Sequence, residues 1–434
     1  MDKMADVLGR AGAWCGQNKY LSAIKNAFQN FMPLTIAGAI GVLWCNVLVN
    51  DQTGLGLFFK PIMALDFLNP AFQAVNFCTI SCITVGITLG IAQEIGVWNM
   101  GAERAGYIPG LVGLAAWLSV TNTSHMVEGA KEAFTGIAGN ELGATGLFTG
   151  MIIGVLSVEL FCFFEKQDAL KIKMPEQVPP GVARAFEVLV PATITLIITA
   201  CIGSACYNLT GLYLNDVIKN GIQGPLGAVG ATIPGVMIIY LVIMLFWLVG
   251  IHGNNMLSAV KEALFTPLAL ENVEAFNKGE TPKNIINMYF LQMCGEFGGS
   301  GVTIGLVIAI MIFGKREDNK AIATLSLVPG LFNINETVTF GIPMVLNPIL
   351  GIPFVFACLV TILVGYVLTV IGFCPVACLT VPWTTPPIVF GFLACGANVM
   401  GAVTQAILIV VSTVIYVPFL IAYEKYQNKQ AAEA

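Results

Sequence analysis

Two ionisable residues, His252 and Glu336, lie within strongly apolar stretches of this 434-residue chain. Ionisable side chains at membrane depth are costly and usually functional. A carboxylate can accept a proton from a hydroxyl, whereas a histidine can hold that hydroxyl or offset nearby negative charge. We therefore expect both residues to act on a polar solute. The alternatives are a structural ion pair for Glu336 and an interfacial position for His252.

Amides and tryptophans accompany these two residues. Asn254 and Asn255 follow His252, and Asn335 precedes Glu336. Amides both donate and accept hydrogen bonds, as the hydroxyls of a sugar do. Trp247 and Trp383 offer flat faces on which pyranose rings stack, but both would equally fit an interfacial aromatic belt.

The composition requires a membrane environment for these residues. Apolar residues make up 56% of the chain, charged residues 10%, and the mean hydropathy is +0.82. Soluble domains carry about a quarter charged residues, so the sequence predicts an all-α polytopic membrane protein. The net charge of −5 and the dispersed basic residues exclude a nucleic-acid partner.

Metal and cofactor chemistry has little support in the sequence. The chain has 12 cysteines without a CxxC pair and only 2 histidines. No GxxxxGK[ST] phosphate loop occurs. We expect no metal and no cofactor, and we expect His125 to be solvated in an outer loop.

Spanning helices of about 20 apolar residues are expected along the whole chain. The candidates are Phe31–Val49, Phe72–Ala92, Ala144–Phe164, Phe186–Cys206, Gly235–Ile251, Leu350–Phe373 and Val399–Ala422, with Tyr107–Val120 and Val302–Phe313 as shorter ones.

Three apolar stretches are broken by Gly, Pro or Asn, and all lie in the second half: Asn284–Gly301, Ile322–Leu346 and Pro375–Gly396. Interrupted backbone is tolerated at membrane depth only where protein or a wet cavity satisfies it. Such breaks are typical of re-entrant hairpins and of discontinuous helices near a substrate site.

The distribution of Lys and Arg predicts that both termini are cytoplasmic. Basic residues that precede the first span, follow the fourth and end the chain would lie inside, leaving Lys60, Lys131 and Lys219 outside. This orientation requires a stretch between Lys283 and Lys315 that enters and leaves on one side.

The predicted organisation has four parts. An amphipathic segment (1–30) precedes an N-terminal membrane domain (31–165), a polar cytoplasmic linker (166–184) and a C-terminal membrane region (185–434).

The second half resembles a known transporter family. The segments GIHGNNM at Gly250–Met256, GGSGVTIGL at Gly298–Leu306 and FNINETVTFGIPMVLNP at Phe332–Pro348 are similar to the membrane (IIC) component of the bacterial phosphoenolpyruvate-dependent phosphotransferase system. The similarity is to the lactose/cellobiose/chitobiose branch. A weaker match is PPGVARAFEVLVPATI at Pro179–Ile194.

The resemblance implies a fold and a function. The expected fold has about ten spanning helices plus re-entrant hairpins, with elevator-type alternating access. Residues 31–165 would form a dimerisation scaffold, and 185–434 would contain the substrate domain. The expected function is permeation of a β-linked disaccharide, of the cellobiose or diacetylchitobiose type, across the bacterial inner membrane.

The resemblance also implies a partner and roles for residues. A separate phosphorylated IIB protein would phosphorylate the sugar's 6-hydroxyl, because this chain is expected to carry no phosphocysteine or phosphohistidine domain. The residues mapped to the acceptor hydroxyl are Glu336 and His252. The residues expected to bind the sugar are Trp247, Trp383, Asn335, Asn254, Asn255, Gly299 and Ser300. Gln93, Glu94 and Arg104 are assigned to a loop.

Two other functions fit the same residues. In an ion-coupled secondary sugar transporter, Glu336 would carry the proton. A membrane-embedded sensor or enzyme would bind sugar without moving it.

Overall fold

The computed structural model describes residues 10, 13–14, 17–51, 55–125, 134–175, 177–342, 344–345 and 347–433. Lys131, most of the 1–16 segment, and Pro343 and Leu346 lie outside this described part. Within it, the secondary structure is helical except for one antiparallel pair, β1 (Ser124–His125) and β2 (Phe134–Thr135).

The helices up to residue 210 are α1 (Lys19–Leu43, continued by a π-helical turn at Trp44–Leu48), α2 (Leu55–Phe58), a 3-10 helix (Lys60–Leu68), α3 (Asn69–Asn76, continued by a π-helical turn at Phe77–Ser81), α4 (Ile83–Met100), α5 (Ala102–Ala105), α6 (Ile108–Val120), α7 (Gly139–Leu142), α8 (Ala144–Glu165), a 3-10 turn (Asp168–Leu170) and α9 (Pro180–Thr210).

The remaining helices are α10 (Leu214–Ile218, continued by a π-helical turn at Lys219–Gln223), α11 (Gly224–Gly230), α12 (Ile233–Leu248), α13 (Gly253–Met256), α14 (Ser258–Asn277), α15 (Met288–Gly295), a 3-10 turn (Ser300–Val302), α16 (Ile304–Phe313), α17 (Glu317–Leu331), α18 (Glu336–Gly341), α19 (Gly351–Val370), α20 (Val389–Ala394) and α21 (Val399–Glu433).

Several helices have the length and apolar character needed to cross a membrane. Among the described residues there are five, or up to seven if each bent helix pair is one span. The predicted number of about ten is not reached by this criterion, because α6 and α12 are apolar but shorter than a full span. The pair formed by Met288–Val302 and Ile304–Phe313 bends by 59°, which fits a broken span or a re-entrant loop.

The chain forms two compact units. The N-terminal unit contains residues 17–38 and 75–227, and the C-terminal unit contains 39–74 and 228–434. The polar segment 166–184 lies inside the N-terminal unit, where it connects α8 to α9, two helices that pack against each other.

Close helix packing builds the N-terminal unit. Helices α4, α6 and α8 contact one another, and α9 packs against α6 and α8. A Cβ on Gly113 would overlap Ala92, and a Cβ on Gly150 would overlap Thr88. Small residues at helix contacts let the backbones approach, which is how helices associate where no water drives them together.

An ion-pair network joins the ends of these helices. Glu165, at the end of α8, is buried and accepts hydrogen bonds from Arg104 Nε at 2.9 Å and Arg184 Nη1 at 3.0 Å. Glu187 pairs with the same two guanidinium groups. In the exposed linker nearby, the hydrogen bond from Lys171 holds the pKa of Asp168 below its usual value.

Two expectations for the first half are wrong. Gln93 and Glu94 belong to helix α4 rather than a loop, where Gln93 Nε2 donates to Gly106 O and Glu94 accepts from Asn26 Nδ2 at 2.9 Å. His125 is half-buried rather than solvated, because the hairpin places its ring 5.6 Å from that of Phe134.

Amide side chains hold the irregular backbone of the C-terminal unit together. Gln405 Oε1 accepts from the backbone N–H groups of Ile388 and Gly391 at 2.8 and 2.7 Å. Asn272 and Asn287 both donate to Ala377 O at 3.0 Å. These bonds satisfy backbone groups that no helix satisfies, as buried backbone requires.

Candidate functional site

His252 lies at the start of a short helix, and that position defines the state of its ring. Gly250, with φ of +82°, allows the chain to turn after α12, and His252 then acts as the N-cap of α13. The backbone N–H of Asn255 donates to His252 Nδ1 at 3.2 Å. A nitrogen that accepts this bond carries no proton, so neutral His252 holds its proton on Nε2.

Trp247 packs behind this imidazole. The ring centres of Trp247 and His252 are 4.4 Å apart, and Phe354 meets the indole edge-on at 6.5 Å. Only 2% of Trp247 is exposed. The indole therefore supports His252 and is not available for stacking on a sugar in this structure.

A second break, between helices α17 and α18, places Glu336 at the site. Helix α17 ends beside Pro329, and Asn333, with φ of +63°, turns the chain toward α18. Asn is among the few residue types that adopt this left-handed conformation readily. Glu336 then starts α18, where a negative charge is favourable.

The two ionisable side chains face each other across a short gap. His252 Nε2 lies 3.8 Å from Glu336 Oε1, and the two side chains are 38% and 47% exposed. Hydrogen-bonded heavy atoms are about 2.8 Å apart, so an oxygen placed between them can reach both. A hydroxyl would accept from His252 Nε2–H and donate to the Glu336 carboxylate.

Ser300 connects the two sides of the site. Its hydroxyl accepts from Asn254 Nδ2 at 3.1 Å, and its carbonyl accepts from Asn335 Nδ2 at 2.9 Å. Gly299, with φ of +87°, lies so close that an added Cβ would overlap the side chain of Asn335. The segments that carry His252 and Glu336 are thus both bonded to the tip between α15 and α16 (residues 296–303).

Trp383 is attached to the same tip through Asn333. Asn333 Oδ1 accepts from Gly298 N–H at 2.7 Å, while its Nδ2 donates to the carbonyls of Trp383 and Thr385. Trp383 is 43% exposed, so part of this residue is accessible to a ligand.

The structure thus brings together most of the residues proposed from the sequence. His252, Glu336 and Trp247 form one contact group, and Asn254, Ser300, Gly299 and Asn335 form the other. Asn255, an exposed residue, contributes its backbone N–H. Asn335 is buried and uses its amide N–H groups on Ser300 O and Thr339 Oγ1, so these groups hold the backbone.

Two polar atoms near this group keep unused hydrogen-bonding capacity. Within the described residues, Trp247 Nε1 and Asn254 Oδ1 are buried without a hydrogen-bond partner. Such groups are normally satisfied. A donor and an acceptor of this kind suit a hydroxylated ligand or ordered water.

Sequence reasoning missed three charged or polar residues beside the site. Lys261 pairs with Glu296, and Tyr240 donates to the same carboxylate at 2.7 Å. The only sequence signal was the position of Lys261 and Glu296 within otherwise apolar stretches. In the part of the chain that the structure describes, no group of His, Cys, Asp and Glu could hold a metal ion.

An apolar helical bundle with an amide-braced polar site at broken helices defines a membrane transport protein. The sequence model described as "Phosphotransferase system, EIIC" matches residues 25–358, and the chain belongs to this family. It is 33% identical to the oligo-beta-mannoside-specific EIIC component of Bacillus subtilis, over 98% of this chain and 94% of that protein.

Two further similarities agree. The cellobiose-specific EIIC component of Lactococcus lactis is 29% identical over 98% of each chain. The crystal structure of the transporter ChbC, the IIC component of the N,N'-diacetylchitobiose-specific phosphotransferase system, matches with a TM-score of 0.88 and 29% identity, over 97% of each chain.

Proposed function

We propose that this protein is the sugar permease of a phosphoenolpyruvate-dependent phosphotransferase system in the bacterial cytoplasmic membrane. Its substrate would be a β-linked disaccharide of the cellobiose or diacetylchitobiose type, and transport would be coupled to phosphorylation of the 6-hydroxyl. The observation that carries this proposal is the 3.8 Å separation of His252 Nε2 and Glu336 Oε1. The substrates named for the similar EIIC proteins support the choice of sugar.

The geometry supports a direct transfer to the sugar. The 6-hydroxyl, held by His252 Nε2–H, gives its proton to Glu336 while its oxygen attacks phosphorus. The bond from phosphorus to the phosphorylated IIB partner breaks, and its electron pair stays with that partner. Phosphoryl transfer depends mainly on positioning and on charge stabilisation, which a fixed donor and acceptor supply.

The exposed face of Trp383 is the proposed platform for the sugar ring. Its loop is held by Asn333, the residue that also holds the tip between α15 and α16. Ring stacking and hydroxyl binding would therefore depend on the same backbone. Asn254 Oδ1 would accept a hydrogen bond from the sugar.

The domain roles follow from family membership. We propose that residues 31–165 serve a homodimer as scaffold, that 166–184 form a cytoplasmic linker, and that 185–434 contain the substrate domain, which moves in an elevator-type cycle. All of the site residues lie in the part of the C-terminal unit from residue 228 onward, which supports placing the substrate domain within 185–434.

Uptake by sealed vesicles tests the proposal. Labelled cellobiose, diacetylchitobiose and lactose would be supplied with and without phosphoenolpyruvate and the cytosolic phosphotransferase proteins. We expect one sugar to accumulate as its phosphate, and only with the complete system.

Two other results would contradict the proposal. Accumulation of unmodified sugar that ignores phosphoenolpyruvate and collapses with an uncoupler would indicate an ion-coupled transporter. Binding without accumulation would indicate a sensor.

A further inference from the structure

A buried ion pair outside the sequence motifs lies next to the acceptor site. Lys261 Nζ pairs with the carboxylate of Glu296, and the Tyr240 hydroxyl donates to Glu296 Oε1 at 2.7 Å. The side chains of Lys261 and Glu296 are 8% and 17% exposed. Both charges, together with that of Glu336, act electrostatically on His252.

Stability alone gives a poor account of this pair. Removing two charges from water costs about as much as their attraction returns, so a buried pair is weak support for a fold. At the exposed end of α14, the C-cap residue Lys278 pairs with Glu274. The contrast indicates that the buried pair has a specific role.

The pair connects the two chain segments that carry the acceptor site. Lys261 lies in the first turn of α14, which follows the helix capped by His252. Glu296 opens the tip between α15 and α16, and its carbonyl accepts from Gly299 N–H at 3.0 Å.

The tip contacts the segment of His252 at two points. From Glu296 the tip continues to Ser300, which is bonded to Asn254 on the His252 side and to Asn335 on the Glu336 side. Lys261, which follows His252 in the chain, pairs with Glu296 and so gives the tip a second contact with the His252 segment. The Lys261–Glu296 contact thus holds the start of the tip, and Ser300 further along the tip contacts the segments of both His252 and Glu336.

We propose that Lys261 and Glu296 are positioning residues for the phosphoryl acceptor site. By fixing the tip against the start of α14, the pair sets the separation of His252 and Glu336. Tyr240 holds the Glu296 carboxylate in the orientation that meets Lys261. This inference rests on the proposed function, because positioning matters most for a reaction that needs aligned atoms.

Conservative variants test this role in full-length protein in proteoliposomes. Glu296→Asp keeps the charge but shortens the reach of the carboxylate, and Lys261→Met removes the cation. A misplacement of about 1 Å can lower a rate about 100-fold, so we expect at least a tenfold loss in kcat for sugar phosphorylation. The loss in kcat should exceed any rise in the sugar dissociation constant, because phosphoryl transfer needs closer alignment of atoms than ring stacking does.

Two controls accompany these variants. Lys261→Arg keeps the pair and should retain most of the activity. The double variant Lys278→Met, Glu274→Gln removes the exposed pair of the same helix and should behave as wild type.

The outcomes separate the inference from the proposed function. Wild-type kcat in Glu296→Asp and Lys261→Met, with Glu336→Gln inactive, would refute the positioning role and leave the proposed function intact. A loss of sugar binding that equals the loss of kcat would show a structural role and also refute it. A wild-type protein that phosphorylates none of the sugars would overturn both.

Discussion

At the residue scale, the two nitrogens of His252 have different partners. Nδ1 accepts from Asn255 N–H, which leaves Nε2–H directed to the gap beside Glu336. His252 is therefore suited to donate a hydrogen bond, and Glu336 is the group suited to accept the proton. Replacing His252 should therefore have different consequences from replacing Glu336.

Substitution of His252 by Gln tests its role as a donor. Gln places an N–H group where Nε2–H lies but cannot act as a base at neutral pH. We expect His252→Gln to keep phosphorylation within about tenfold of wild type, and His252→Ala to lose about 100-fold or more, since a positioned donor is worth that much. The rates would be measured with saturating phosphorylated IIB protein. Equal inactivation of both variants would point to His252 as the base.

The two tryptophans should respond differently because only one is exposed. We expect Trp383→Ala to weaken sugar binding by about tenfold or more, since it removes the stacking face. Trp247→Phe keeps an aromatic ring behind His252 and should weaken sugar binding less than Trp383→Ala does. Equilibrium binding of labelled sugar to purified protein measures both. Weakened binding by Trp247→Phe with intact Trp383→Ala would reverse the assignment.

At the element scale, the short breaks between helices place the chemistry. The tip between α15 and α16 contacts both halves of the site through Ser300, and Asn333 ties the same tip to the loop of Trp383. Apart from Asn254 in the four-residue helix α13, the residues that make these contacts lie outside the α-helices. The breaks between helices therefore bring together segments that are far apart in the sequence.

Gly299 is the most sensitive position in this tip. With φ of +87° and ψ of −174°, Gly299 lies in a region that only glycine adopts readily, so alanine would cost about 1–3 kcal/mol, and its Cβ would overlap Asn335. We expect Gly299→Ala to lower sugar phosphorylation strongly. As a control, Gly279 also has positive φ but has open space around it, so Gly279→Ala should be nearly silent. Similar activities of the two variants would argue against a role for the contact with Asn335.

The sequence predicted the elements better than their contacts. Apolar length located the helices around residues 31–49, 144–164 and 399–422, because membrane spans follow from composition. The irregular backbone at 296–303 and 375–388 was also expected from Gly and Pro. The helical position of Gln93 and Glu94 was missed, since polar residues usually indicate a loop.

The sequence predicted which residues form the site but not how they are arranged. His252 and Glu336 stood out because ionisable groups are rare in apolar segments. The burial of Trp247 and the pairing of Lys261 with Glu296 depend on contacts between segments far apart in the chain, which spacing does not encode. Likewise, the amide N–H groups of Asn333 and Asn335 bond to other parts of the protein, and spacing does not encode these contacts.

At the scale of the whole molecule, orientation follows from the basic residues. Lys166, Lys171 and Lys173 are expected inside, where basic loops stay, and Lys219 is then expected outside, because the candidate span α9 separates it from them. With this orientation we expect both termini to be cytoplasmic.

Reporter fusions test this orientation. Green fluorescent protein fused after Glu433 should fluoresce, and alkaline phosphatase inserted beside Lys219 should be active. A dark C-terminal fusion together with an inactive insertion at Lys219 would require the opposite orientation.

The measurement that tests the central claim most directly compares wild type with Glu336→Gln in sealed vesicles. The vesicles would receive labelled sugar and the complete phosphotransferase system, and the chemical form of the internal sugar would be determined. Our account predicts sugar phosphate with wild type and, with Glu336→Gln, retained sugar binding but sugar phosphate reduced at least about 100-fold, because the proton acceptor is lost. Sugar phosphate formed by Glu336→Gln at the wild-type rate would contradict the account.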